Sequence, residues 1–306
     1  MKKLICLVIA FVIIVDADAQ KIKLCFNLTK GETYSHNMVS TSTISQEING
    51  QSLTIDMNMS CNINYTVSDI IDSVYVLSVQ YESMSIKMKM PKGTMEFNSE
   101  NKDVNDAFST VLGAMKHQKF NLKMTKTGKI NEVSKLDSLF VNVLDKLPEM
   151  TAARKQQLQA QFMKAFGEKA FKGNFEMVTL IYTDKQIEKG SKWITSTQLE
   201  SGVFAKMITT YELADITDSY AEIKGNSTIG TTDKDAFMET NGMQMRYDMK
   251  GNMITDIKVD LKTGWVIASK TNQNIDGINE IKDSPKMPGG MKIPMTVVSE
   301  ITVSNK

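Results

Sequence analysis

The 306 residues carry 36 basic and 35 acidic side chains, so the net charge is only +1. Arginine is confined to Arg154 and Arg246 and no basic stripe is present, which argues against nucleic acid as a partner. The length is sufficient for one large domain or two modest ones with a buried core.

The N-terminus has the pattern of a secretory signal peptide. Two lysines follow Met1, an apolar run occupies residues 4–15, and small residues stand at Ala17 and Ala19. We predict that residues 1–19 are a signal peptide cleaved after Ala19. The apolar run is too short to span a membrane, and no later run reaches that length. We therefore expect an exported protein, periplasmic or extracellular, with no transmembrane segment after cleavage.

The first half of the mature chain predicts long antiparallel strands. Apolar residues alternate over residues 22–28, and a second strand is expected at 33–48. Asn49-Gly50 then supplies a hairpin turn, because both residues accept positive φ. The following strand alternates without a break to Val67. Further on, the parity of the apolar positions changes near Glu82-Ser83, which predicts a β-bulge.

Three helices and a hairpin are expected next. Helical spacing of apolar residues predicts helices within 101–116 and at 136–147, and a third after Thr151. A hairpin between the first two turns at Thr127-Gly128.

Residues 173–306 again predict strands and turns. A hairpin is expected to turn at Lys250-Gly251, a tight turn at 260–265, and a loop at 285–290 before a last strand at 293–303.

One nine-residue segment occurs twice. YTVSDIIDS at 65–73 returns as YELADITDS at 211–219. We interpret these as repeated turns between strands, since an Asp side chain can accept from backbone N–H groups and tighten a turn. The alternatives are a catalytic acid and base pair or calcium binding, but such short turns supply few of the oxygens that calcium needs. The turn residues are Asp69, Asp72, Asp215 and Asp218.

These elements predict an α+β fold. We expect two related, curved antiparallel sheet units with about a dozen long strands, packed against three helices in a half-barrel or clam-like arrangement. The expected division is a first β unit at 20–134 with a helix at 101–116, a helical segment at 135–172, and a second β unit at 173–306.

Several short motifs resemble a family of uncharacterised exported proteins and lipoproteins, mainly of Bacteroidota. The similar stretches are KGETY at 30–34, NGQ at 49–51, GSKW at 190–193 and DLKTGW at 260–265. Thr183, where relatives often have Pro, and the lack of a lipid-anchoring cysteine depart from that pattern. The resemblance implies a domain of unknown function, with no catalytic residues to transfer. A more distant fold analogy links the curved strands to periplasmic lipoprotein carriers.

Cysteines and methionines are the candidate site residues. Cys25 and Cys61 are the two cysteines of the mature chain. Two interpretations are open: the cysteines form a disulfide, or they are two unpaired, small buried residues. The methionines on strand faces fit an ordinary core, the lining of an apolar groove, or a Cu(I) site made of thioethers. The candidate groove-lining residues are Met57, Met59, Tyr65, Met84, Met88, Met90, Met243 and Met245.

The sequence offers no recognisable catalytic set or cofactor motif. His36 lies in a predicted strand, His117 follows a helix, and neither belongs to a nucleophile or zinc motif. We expect no enzyme activity, no cofactor and no metal. The favoured function is holding or shielding a lipid-like ligand in an apolar groove. The alternative is an interaction module with a solid core that binds an envelope protein.

Overall fold

In the computed structural model the described residues are 21–103, 106–145, 150–200, 203–240, 242–285 and 287–305. The predicted signal peptide, residues 1–19, lies outside them. The strands are β1 (Thr33–Ile48), β2 (Gln51–Ile71), β3 (Val74–Met90), β4 (Gly93–Asn98), β5 (Lys119–Thr125), β6 (Ile130–Ser134), β7 (Lys192–Glu200), β8 (Phe204–Ile216), β9 (Tyr220–Thr231), β10 (Met238–Thr240), β11 (Met243–Asp260), β12 (Val266–Ile281) and β13 (Met291–Ser304). The helices are α1 (Ala107–Met115), α2 (Leu136–Asp145), α3 (Ala152–Phe166) and α4 (Glu168–Thr179).

These thirteen strands form one antiparallel sheet. Its order is β6-β5-β3-β2-β1-β13-β12-β11-β9-β8-β7, with β4 on β3 and β10 on β11. Two meanders, one from each half of the chain, meet where β1 pairs with β13 from Asn37↔Ser304 to Gln46↔Met295.

The predicted α+β fold with two sheet units is therefore wrong. The protein is mostly β, with 58% strand and 17% helix, and its sheet is single and open. The cause is the pairing of β1 with β13. If the two halves were separate sheets, these strands would each leave a row of backbone N–H and C=O groups unpaired.

Three local predictions were also wrong. Residues 22–28 form no strand beyond a single bridge, Ile22↔Ile187, although Leu24, Phe26 and Leu28 are buried. Strand β11 passes straight through Gly251, where a Cβ atom would come within 2.2 Å of the Asn274 carbonyl oxygen. Helix α4 was missed, and it crosses the boundary expected at residue 173.

One predicted turn and the predicted bulge are confirmed. Asn49 and Gly50 have φ of 52° and 75°, as a tight hairpin requires. The bulge lies at Glu82, because Asn62 pairs with Ser83 and Ile63 with Tyr81.

The helices cover one face of the sheet, which we call the inner face. Aromatic contacts mark the packing: Phe108 of α1 lies 4.7 Å from Phe97, and Phe175 of α4 stacks on Tyr65 at 5.0 Å between ring centroids. The fully buried side chains of this core include Phe26, Tyr65, Leu77, Phe120, Leu122, Phe162 and Ile223.

Candidate functional site

A cavity of about 440 Å³ lies on the inner face, beside α4. We call it the inner cavity. Most of its lining is apolar, and the lining side chains come from α4 and from strands of both halves of the chain. They include Met38, Met59, Met177, Val178, Leu199, Ala205, Ile229, Met249, Met253, Ile257, Ile275, Ile301 and Val303.

Helix α4 forms one wall of the inner cavity and is fixed to both end strands of the sheet. Toward β6, the Glu176 carboxylate accepts from the Ile130 N–H at 2.8 Å, and the Thr179 hydroxyl donates to the Gly128 carbonyl at 2.9 Å. Toward β7, Gly173 packs so closely that a Cβ atom would lie 2.7 Å from the Gln198 carbonyl oxygen. The helix therefore bridges the two ends of the open sheet.

Glu176 is buried at this junction with its side chain in a hydrogen bond. Burial raises the pKa of its carboxyl group, while the hydrogen bond from Ile130 opposes that shift. The hydrogen bond from the Ile130 N–H gives Glu176 a structural role, because it holds α4 against β6.

A few polar side chains interrupt the apolar lining. The hydroxyls of Thr255 and Thr271 bond each other at 3.0 Å. Ser40, Ser269 and Asn174 also line the cavity, and their side chains have no hydrogen-bond partner among the described residues. These groups remain available to a polar atom of a bound molecule.

An aromatic cluster lies next to the cavity, in the core. His36 stacks on Trp265 and meets Tyr65 edge to face, at centroid distances of 4.5 and 5.6 Å. Its Nε2 lies 3.2 Å from the Val266 carbonyl oxygen. Burial lowers the pKa of His36 to about 4, so the ring is neutral at pH 7.

Comparison with known proteins gives a family but no activity. A model of the family of unknown function DUF6263 matches residues 72–266. The chain belongs to this family. No curated protein matches it.

Two solved structures are weakly similar to this DUF6263 chain. An outer membrane channel from Pseudomonas putida F1 is 8% identical, with a TM-score of 0.27. The alignment covers 92% of the present chain and 97% of the channel's chain. The outer membrane protein OprG from Pseudomonas aeruginosa is 8% identical, with a TM-score of 0.28. This alignment covers 90% of the present chain and 96% of OprG. At these scores the likenesses support no conclusion about fold or function. Within the described part of the chain, no helix has the length and apolar character needed to cross a membrane.

The predicted groove residues of the DUF6263 chain all lie on the inner face, but only Met59 lines the cavity. Tyr65 is fully buried in the core, and Met84 packs against that core. The others lie farther along the same strands and are half-buried: Met57, Met88, Met90, Met243 and Met245.

Sequence reasoning missed four of the cavity's methionines. Met249 and Met253 have the same parity on β11 as Met243 and Met245, so continuing the alternation through Gly251 would have found them. Met38 lies on the inner face of β1, and Met177 on the unpredicted helix α4.

The candidate disulfide is not formed. Cys25 and Cys61 are both free and partly buried. Cys61 lies between Met38 and Met84 on neighbouring strands, and burial raises the pKa of its thiol to about 12.

The two repeated segments occupy matching positions in the fold. Asp69 accepts from Lys30 Nζ at 2.7 Å, and Asp215 accepts from Lys189 Nζ at the same distance. These lysine partners lower the pKa of both carboxyl groups. Asp72 and Asp218 are in the turns that follow, and Asp72 has φ of 48°. The described residues contain no group of three or more His, Cys, Asp or Glu able to hold a metal ion.

The second histidine lies on the surface. His117 Nδ1 is 3.4 Å from a Glu82 carboxylate oxygen, and the His117 side chain is more than half exposed. Within the part of the chain that the structure describes, neither His36 nor His117 is in hydrogen-bond contact with a Ser or Cys side chain that it could activate.

The opposite, outer face of the sheet carries a second, more polar depression of about 660 Å³. We call it the outer groove. Its outward side chains are mostly amides and hydroxyls, with Ile254 and Val298 exposed by 60% and 54% among them. The polar ones are Thr41, Thr43, Asn226, Asn252, Asn272, Asn274 and Glu300.

Proposed function

We propose that this protein is an exported, non-enzymatic binding protein that holds a lipid-like, hydrophobic small molecule in the inner cavity. The observation that carries the proposal is the apolar cavity of about 440 Å³ between α4 and the sheet. Binding sites for small molecules typically have volumes of about 300–1,000 Å³ and apolar walls with a few polar groups. Export rests on the signal peptide predicted at residues 1–19.

The lining favours a ligand that is mainly apolar with one polar end. Methionine side chains adapt to different apolar shapes, and five of them line the cavity: Met38, Met59, Met177, Met249 and Met253. The hydroxyls of Ser40 and Ser269 are free to bond one polar group of the ligand. We therefore propose that the protein selects for an apolar body more strongly than for a particular head group.

A second candidate is recognition of an envelope protein. The end strands β6 and β7 both contact α4, so neither of these two strands is proposed as the recognition surface. The outer groove favours this candidate instead, because Ile254 and Val298 expose apolar surface among hydrogen-bonding side chains.

Native mass spectrometry of residues 20–306 from the natural host, followed by solvent extraction, tests the proposal. We expect one apolar molecule per chain. A clean apo mass would contradict a tightly held ligand and favour the envelope partner.

Two variants then locate the site with a fluorescent apolar probe, N-phenyl-1-naphthylamine. Ser40→Phe directs a ring into the inner cavity, whereas Val39→Phe, its matched control, places the ring on the outer face of the same strand. We expect Ser40→Phe to weaken probe binding at least about tenfold and Val39→Phe to leave it unchanged. Equal binding by both variants would show that the probe, and by extension the ligand, does not use the cavity.

A further inference from the structure

Three sulfur-bearing side chains lie in one row across β1, β2 and β3. Cys61 pairs directly with Met38 on one side and with Met84 on the other. Residues paired in this way project from the same face, with Cβ atoms about 4.5–5.5 Å apart. The short Cys61 side chain is therefore flanked on the inner face by two long, flexible thioethers.

The row borders the inner cavity. Met38 lines that cavity, and so does Met59, which precedes Cys61 on the same face of β2. All three members of the row are partly buried, in contact with the core. A small ion in the cavity therefore has a short path to the sulfur atoms.

An unused nitrogen lone pair lies on the same face. His36 is two residues from Met38 along β1, and its Nε2 is engaged with the Val266 carbonyl oxygen. Its Nδ1 is fully buried and has no hydrogen-bond partner among the described residues. The ring is held against Trp265 and Val266, so this lone pair is a feature of the same face and is not one of the proposed ligands.

We infer that Cys61, Met38 and Met84 form a binding site for Cu(I). Thiolate and thioether sulfur are soft ligands, which select Cu(I) over the harder divalent cations. On binding, the Cys61 thiol releases its proton to solvent and its thiolate forms a Cu–S bond, while each thioether donates a lone pair. No oxidation is involved. The thiolate and the cation cancel in charge, which suits apolar surroundings.

A second row of sulfur atoms provides an internal comparison. Met57 pairs with Met88, and Met88 pairs with Met95, on the same inner face of β2, β3 and β4. This row has three thioethers but no thiol, so a bound cation there would keep its charge. We therefore assign the stronger site to the row containing Cys61.

Anaerobic titration of the reduced protein, residues 20–306, with Cu(I) against bicinchoninic acid tests the site. We expect one Cu(I) per chain. Cys61→Ala should weaken binding at least about a hundredfold, and Met38→Leu or Met84→Leu about tenfold each. Cys25→Ala, at the other free cysteine, and the triple variant Met57→Leu, Met88→Leu, Met95→Leu should bind as the wild type does.

A measurement on the unmodified protein guards against variants that fold poorly. Alkylation by iodoacetamide, mapped by mass spectrometry, should be slowed at Cys61 by one equivalent of Cu(I) and unchanged at Cys25. The site is overturned if the wild type does not compete with the chelator, if Cys61→Ala binds normally, or if Cu(I) protects Cys25 instead. The lipid-like ligand is detected by mass and by the apolar probe, so failure of either proposal leaves the other testable.

Discussion

The imidazole of His36 stacks on the indole of Trp265, with ring centroids 4.5 Å apart and planes inclined by 16°. The stack joins β1 to the beginning of β12, across the junction of the two halves of the chain. Trp265 Nε1 also donates to the Ser35 carbonyl at 3.2 Å. This junction is where the sheet becomes continuous, and a buried titratable group lies within it.

Acid should weaken the fold through His36. Burial lowers its pKa from 6.5 to about 4, so below pH 6.5 the unfolded chain binds a proton that the folded chain excludes. The stabilisation is complete above pH 6.5 and is lost as the pH falls toward 4. The difference between the pKa of His36 in the unfolded and in the folded chain corresponds to about 3 kcal/mol of unfolding free energy.

Urea unfolding at pH 7, 5 and 4 checks this prediction. The variant His36→Phe keeps an aromatic ring against Trp265 but cannot titrate. The unfolding free energy of the wild type, measured relative to that of the variant, should fall by about 3 kcal/mol from pH 7 to pH 4. His117→Gln is the control for the other histidine. A constant difference across this range would show that His36 is protonated as easily in the fold as in the unfolded chain.

Glu176 should contribute to stability through one hydrogen bond. Glu176→Ala leaves the buried Ile130 N–H without an acceptor, which we expect to cost about 1–3 kcal/mol in urea unfolding. Glu176→Gln retains an acceptor oxygen and should cost less. Amide exchange at Ile130 should become faster in the alanine variant. If Glu176→Gln and Glu176→Ala lose the same stability, the hydrogen bond is not what joins α4 to β6.

The sequence predicted local structure better than global structure, because alternation and turn residues act over short distances. Asn49-Gly50 and the bulge at Glu82 follow from positive φ and from a change of parity, both visible in a few residues. The β1–β13 pairing joins residues far apart in the chain, and no local pattern encodes it. Helix α4 was missed because Gly173 weakens the helical signal. That glycine is explained only by the close approach of β7.

The predicted groove residues and the lining of the inner cavity share a face of the sheet but overlap only at Met59. The alternating methionines lie on the inner face, and most of the chosen ones lie beyond the cavity. Helix α4 forms one wall of the cavity. Because the sequence analysis did not predict this helix, it could not locate the cavity. The row of Met38, Cys61 and Met84 likewise depends on the register of three strands, which the sequence of one strand does not contain.

Two buried tyrosines should respond oppositely to loss of the hydroxyl group. Tyr65 OH is buried without a hydrogen-bond partner among the described residues, so Tyr65→Phe should be neutral or stabilising. Tyr75 OH donates to the Phe26 carbonyl at 2.9 Å and accepts from the Leu28 N–H at 3.2 Å. Tyr75→Phe should therefore cost about 1–3 kcal/mol. Thermal and urea unfolding of the two variants, measured side by side, give the comparison. A larger loss for Tyr65→Phe would mean that its hydroxyl is satisfied in solution.

Two glycines with similar backbone conformations should differ sharply in their tolerance of alanine. Gly50 has φ of +75°, and a Cβ atom there would have no other atom within 4 Å. The only penalty for Gly50→Ala should therefore be the strain of an alanine in the left-handed conformation, about 1 kcal/mol of unfolding free energy. Gly128 has φ of +88°, and a Cβ atom there would lie 1.7 Å from the Thr179 carbonyl oxygen at the end of α4. Gly128→Ala must displace α4 or the turn, and we expect a loss above about 3 kcal/mol in urea unfolding.

The same pair tests whether α4 keeps the inner cavity in shape. Since Gly128 lies outside the cavity, a displaced α4 should weaken binding of the apolar probe in Gly128→Ala even under conditions where the variant remains folded by circular dichroism. Gly50→Ala, at the far hairpin, should bind as the wild type does. Normal probe binding by a folded but destabilised Gly128→Ala would mean that the cavity does not depend on the position of this helix end.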